Sequence, residues 1–262
     1  GPSNDRITYY MNDSQIKQLG EAMANMLLSY AAHGLATGSL EGTGEITLRD
    51  GLTVAAAAEG ARIRQAWIIE REVVPNGWTD APVDLFLQKE GNQGAISTIG
   101  GVELKWWRKT DAGNSANRRR DLVRDLIRAG ALYSQVQGFS FVALLSTEGS
   151  WAATTKTDGS DKDAMHRLSS TGIQKWNLSN LIGSKGVEGA MRSLQNRVPI
   201  PNIFHTELLC TRSPTNGVDQ LAFVKVWKVK KPQKSVFLDA AALNKLIPPK
   251  AAKAQPAQAN HA

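Results

Sequence analysis

The sequence predicts an α/β protein with a mixed central sheet flanked by helices, and three observations predict it. Segments with apolar residues at helical spacing alternate with short β-branched runs in the order helix, strand, strand, strand, helix, strand. Two of these runs, VDLFLQ and ISTIGGVELKWW, are joined by the turn-prone KEGNQG and read as a β-hairpin. The run GFSFVALLS is short, apolar and bounded by glycine, as a strand buried on both faces should be.

The elements follow in order. From Asp13 to about Ala36 apolar residues recur at helical spacing (Ile16, Leu19, Met23, Met26, Leu27, Tyr30), with Asn12, Asp13 or Ser14 as N-cap. A glycine-rich passage, HGLATGSLEGTGEITLRDG, comes next. In VAAAAEGARIRQAWIIEREVV the alanine-rich half favours helix and the β-branched half favours strand, with the switch near Ala66 to Ile68. After the hairpin and a polar loop, TDAGNSAN, the segment RRRDLVRDLIRAGALYSQV carries Leu122, Leu126, Ile127 and Leu132 at helical spacing with basic residues between them. Residues 147–163 are polar and glycine-containing, which suggests a mobile loop, and 164–198 are weakly helical. FHTELLCTR and QLAFVKVWKVK form a closing pair of strands around the turn SPTNGVD, and PPKAAKAQPAQANHA has the composition of a disordered tail. The expected organisation is a tag remnant at 1–3, a helical extension at 4–51, a core at 52–146, its completion at 147–247, and the tail at 248–262.

Composition narrows the function. At 42 % apolar and 21 % charged, the chain is that of an ordinary globular protein. Its formal charge of +7 favours a polyanionic partner, because basic side chains release counterions condensed on phosphate backbones. With one cysteine, Cys210, neither an intrachain disulfide nor a cysteine zinc site can form, which suits the cytoplasm. No apolar run approaches the roughly 20 residues that span a bilayer, so no membrane partner is expected. The four histidines, His33, His166, His205 and His261, lack ligand spacing, and no serine-hydrolase elbow, Walker loop or dinucleotide fingerprint is present.

The hairpin carries the chemistry. In VELKWW, the residues Val102, Leu104 and Trp106 alternate with Glu103 and Lys105, so a strand sends bulk to one face and charge to the other. Asp84 lies between Val83 and Leu85 in the partner strand. If the register joins these faces, two carboxylates and a lysine converge. Two carboxylates, a backbone carbonyl and waters are oxygen donors suited to Mg²⁺. The bland alternative is a hairpin whose Glu103 and Lys105 face water.

On these residues the chain resembles the PD-(D/E)XK nuclease superfamily, the restriction-endonuclease-like fold, over about residues 52–146. The resemblance implies a restriction-endonuclease-like core with N- and C-terminal additions, and metal-dependent phosphodiester hydrolysis. Asp84 matches the metal-binding aspartate, Glu103 the second ligand and Lys105 the motif lysine that orients the attacking water. Glu59 takes the place of the glutamate found in the preceding helix, with Glu70 and Glu72 as weaker substitutes. Val83 stands where the motif has proline, and Pro82 precedes it.

The expectation is therefore a Mg²⁺-dependent endonuclease, with Mn²⁺ as a substitute metal, acting on DNA rather than RNA. Restriction, phage defence, repair and mobile-element systems are the settings it suggests. A homodimer would cut both strands of a duplex, and a partner protein could activate the site. The alternative is a non-catalytic nucleic-acid-binding or protein-interaction module on the same fold. Arg118, Arg119, Arg120, Arg124 and Arg128 could form a phosphate-facing stripe, and Trp107 could stack on a base, although packing competes for it. Lys228, Lys230 and Lys231 read as protection of an edge strand.

Overall fold

In the computed structural model, which describes residues 11–108, 114–156, 159–213 and 222–249, Asn12 starts the first helix. Its Oδ1 accepts the Gln15 N–H at 2.8 Å while the Gln15 Oε1 accepts the Asn12 N–H at 3.0 Å, so two orphan helix donors are satisfied at once. The helix, α1 (Asp13–Thr37), ends at Gly38, whose φ of 68° is the left-handed conformation glycine tolerates. A second helix, α2 (Glu45–Arg62), leads into β1 (Trp67–Val73), β2 (Val83–Glu90) and β3 (Ile96–Trp107). Then come α3 (Ser115–Tyr133), β4 (Phe139–Thr147), α4 (Glu148–Thr154), α5 (Lys162–Ser169) and β5 (Ile173–Asn177). The chain closes with α6 (Lys185–Leu194), β6 (Ile203–Arg212), β7 (Ala222–Lys230) and α7 (Ala240–Leu246).

The strands form one 7-stranded sheet in the order β1-β2-β3-β4-β7-β6-β5. Neighbours pair antiparallel except β3 and β4, which are parallel. A parallel pair needs a crossover, and α3 is the segment that returns the chain. Helices cover both faces, so the mixed, helix-flanked α/β architecture is as expected. On one face α1 and α2 bury Leu19, Met23 and Leu52 with Val102, Leu104 and Phe141. On the other, α3 and α6 bury Leu126, Ile127 and Met191 with Val142, Leu144 and Trp227.

Four expectations change. The helix before β1 begins at Glu45, inside the glycine-rich passage, so it crosses the expected boundary at 51. Gly51 is what permits this, since a Cβ there would strike the Tyr30 ring of α1. The expected mobile loop at 147–163 contains α4 and a 3-10 turn at Gly159–Asp161, because the Thr147 hydroxyl caps a helix by accepting the Ser150 N–H at 3.3 Å. The weakly helical stretch holds the short strand β5. Finally, β7 lies between β4 and β6, so Lys228 and Lys230 are not edge protection, and Lys231 lies past the strand; the edges are β1 and β5. The tag remnant, the turn from Pro214 onward, His261 and the tail from Lys250 lie outside the described residues.

Candidate active site

The hairpin sets Asp84 next to the strand segment that carries Glu103 and Lys105. The β2–β3 ladder runs from Glu90 opposite Ile96 to Leu85 opposite Val102. Past that point the Asp84 side chain takes over, its Oδ2 accepting the Leu104 N–H at 2.8 Å. Asp84 is thereby fixed beside the residue that separates Glu103 from Lys105. Val102, Leu104 and Trp106 join the core under α1 and α2, which leaves Glu103 and Lys105 on the α3 face.

That face is not open to water. The Glu103 side chain is 4 % exposed and its Oε1 lies 3.0 Å from the Arg128 Nε of α3. Lys105 places its Nζ 3.0 Å from Asp125 Oδ2, and Asp125 is 1 % exposed. Arg124 Nε faces Asp125 Oδ1 at 3.3 Å. A solvated hairpin is therefore overturned: α3 covers the two charges and answers each with its opposite.

Burial pushes the Glu103 carboxyl well above the usual carboxylate range; Arg128 opposes this, while Asp125 and Asp84 add to it. Lys105, like Arg128, opposes the rise. The Asp125 carboxylate raises the Lys105 ammonium above its ordinary value despite burial, with Glu45 contributing. Lys105 is thus held protonated, which suits orienting a water or stabilising a phosphate oxygen rather than removing a proton.

The helical glutamate at the site is Glu45, not Glu59. Glu45 Oε1 accepts the Trp106 N–H at 3.2 Å at the N-terminus of α2. One turn later Arg49 bridges Asp84 Oδ1 at 2.9 Å and Glu72 Oε1 at 3.2 Å. Glu59 lies about 21 Å further along the helix axis, where it pairs with Arg62 at 2.9 Å. Of the weaker substitutes, Glu72 alone reaches this network, through Arg49.

Most of the arginine stripe turns inward, while Arg120 stays at the surface. Arg118 is buried and donates to the Arg108 carbonyl at 3.0 Å. Arg119 binds Asp161 at 2.7 Å, Arg120 pairs with Asp121 at 3.1 Å, and Arg124 and Arg128 hold Asp125 and Glu103. Trp107 is buried and stacks on Trp151 with ring centroids 6.0 Å apart, so it offers no face to a base.

Sequence reasoning missed Glu45, Arg49 and Asp125. Asp125 had a signal: it falls between Leu122, Leu126 and Ala129 at helical spacing, which places a carboxylate on the buried face of α3. Glu45 had a weaker one, since Leu48, Leu52, Ala55 and Ala56 continue a buried helical face back through the glycines.

Two carboxylates, Asp84 and Glu103, are hard oxygen donors of the kind Mg²⁺ accepts along with several waters. Glu103 Oε1 is buried and accepts no hydrogen bond. The donor types suit a cation, but Arg128 Nε already stands 3.0 Å from Glu103 Oε1 and Arg49 2.9 Å from Asp84 Oδ1. Among the described residues no group of three or more His, Cys, Asp or Glu side chains is arranged to hold a metal ion. Comparison with protein-family models, curated proteins and solved structures finds no match to this chain.

Proposed function

We propose that this protein is a Mg²⁺-dependent nuclease with a restriction-endonuclease-like core, cutting phosphodiester bonds in DNA. The observation that carries the reading is the Asp84–Leu104 hydrogen bond, which fixes Asp84 beside the strand segment bearing Glu103 and Lys105, where the β2–β3 ladder ends. The order α2, β1, β2, β3, α3, β4 supports the resemblance, being the helix, three strands, helix and strand that it implies.

In this reading Asp84 and Glu103 hold the metal directly and Glu45 approaches it through water, in the role expected of Glu59. The bound metal supplies a water of lowered pKa and positive charge against the scissile phosphate. Lys105, kept cationic by Asp125, orients that water and faces the phosphate oxygens. Arg49 and Arg128 neutralise Asp84 and Glu103, so metal binding requires those contacts to loosen.

One observation favours a second reading. Glu45, Asp84, Glu103 and Asp125 are set against Arg49, Lys105, Arg124 and Arg128, which balances the charge internally without any ion. A non-catalytic nucleic-acid-binding or protein-interaction module on the same fold would look like this.

Plasmid DNA incubated with Mg²⁺ or Mn²⁺, and in parallel with EDTA, separates the two. Metal-dependent nicking is expected, lowered on the order of 10²–10³-fold by Asp84→Ala or Lys105→Ala. Glu45→Gln should impair it and Glu59→Gln should leave it unchanged. Intact plasmid under both metals, with the protein folded, would establish the non-catalytic reading.

A further inference from the structure

With most of the α3 arginines engaged in ion pairs and hydrogen bonds within the fold, other basic side chains face solvent, and several of them meet at one end of the sheet. Near its middle α1 packs tightly on the sheet, with Gly20 against Leu209 of β6. At the N-terminal end of α1 a hollow of about 390 Å³ is lined by Asp13 and Lys17 of that helix and by Ile173, His205, Glu207, Lys228 and Lys230 of the strands. A second hollow of about 510 Å³ shares His205 and Lys230 and continues to Tyr133 and Lys231.

The strand register sets Lys175, His205 and Lys230 in a row across this floor. Lys175 of β5 is opposite His205 of β6, and His205 is opposite Lys230 of β7. Directly opposed side chains share a face, and at about 4.8 Å per strand the row spans roughly 10 Å. Like charges on one face of a sheet repel unless something neutralises them. The neighbouring pair does this internally, Lys228 meeting Glu207 at 2.9 Å. Among the described residues Lys17, Lys175 and Lys230 make no ion pair. Burial, and then Lys175, hold the His205 imidazole below its ordinary value, so the positive charges of the row are those of Lys175 and Lys230.

We propose that this cleft is a nucleic-acid-binding surface in which Lys17, Lys175 and Lys230 contact successive phosphates of one strand. Two hollows joined end to end suit an extended polyanion better than a single small anion, and Tyr133 in the second offers a ring for base stacking. From the register the cleft lies roughly 25 Å from Lys105. It is a separate site and does not rest on the nuclease reading.

The test is fluorescence anisotropy of a fluorescein-labelled oligothymidylate with the full chain in EDTA, so that no cleavage intervenes. The combined variant Lys17→Ala, Lys175→Ala, Lys230→Ala should lose about ten-fold in affinity, and its log-affinity against log-salt slope should flatten by about 2, near 0.7 per lost phosphate contact. The same three positions changed to Gln should behave alike, with unchanged melting. A control of equal charge change, Lys162→Ala, Lys185→Ala, Lys245→Ala, should bind within about two-fold of wild type. Equal losses in both sets, or no binding by wild type, would overturn the proposal. So would a cleft variant that loses inorganic tripolyphosphate but keeps the oligonucleotide. Asp84→Ala should bind like wild type, so a chain that binds here yet cuts no plasmid loses the nuclease reading and keeps this one.

Discussion

Two buried carboxylates in this protein are driven in opposite directions, and the difference is in their surroundings. Burial would raise Asp161, yet its carboxyl is lowered because Ser184 Oγ donates at 2.7 Å, Gly186 N–H at 2.8 Å and Arg119 Nε at 2.7 Å. Glu103 is raised, because its deeper burial and the neighbouring Asp125 and Asp84 outweigh the single ion pair to Arg128. A carboxylate whose folded-state pKa is lowered adds stability that is present above its unfolded value and lost as pH falls toward the folded one. Asp161→Asn should therefore cost about 3 kcal/mol at neutral pH. The gap to wild type should close on acidification below the unfolded aspartate value of about 3.9. Melting curves across pH check this, and a gap that stays constant with pH would sink it.

At the scale of elements, the hairpin was legible because period-two alternation in VDLFLQ and VELKWW survives local noise. The start of α2 was not, because Gly42, Gly44 and Gly51 lower helix propensity, and only packing against α1 restores the helix. Strand β5, five residues long, borrows its extended form from pairing with β6, with Trp176 opposite Phe204 and their rings stacked at 5.5 Å. The glycines in GGVELKWW carry a related lesson. A Cβ on Gly100 would lie 2.5 Å from the Phe139 ring, which is itself 4.5 Å from Phe141. Neither ring can yield in a packed core. Gly100→Ala should lower stability by about 2 kcal/mol, seen as a reduced denaturant midpoint with an unchanged slope. Wild-type stability in that variant would mean the ring is free to move.

For the whole molecule, the internal balance of charge at the candidate site links metal binding to folding. If Asp84 and Glu103 hold Mg²⁺ or Mn²⁺, the metal binds the folded chain alone and stabilises it, by about 2.7 kcal/mol at one hundred times its dissociation constant. Differential scanning fluorimetry should show a metal-dependent rise in melting temperature for wild type, lost in Asp84→Asn combined with Glu103→Gln. An identical rise in that double variant would place the metal elsewhere.

From sequence alone came the α/β class, the hairpin, and the placing of Asp84 on one of its strands and of Glu103 and Lys105 on the other, because alternation and spacing are local properties that neighbouring residues impose on one another. The partners of that trio were decided by the tertiary structure. Asp125 and Arg128 reach it from α3 and Arg49 and Glu45 from α2, and which turn of a helix meets which strand depends on how glycines let the layers close. The same cause turned most of the α3 arginines inward and left Lys17, Lys175 and Lys230 together at one end of the sheet. A charge run in a sequence records how many charges there are, and only packing decides which are answered within the protein.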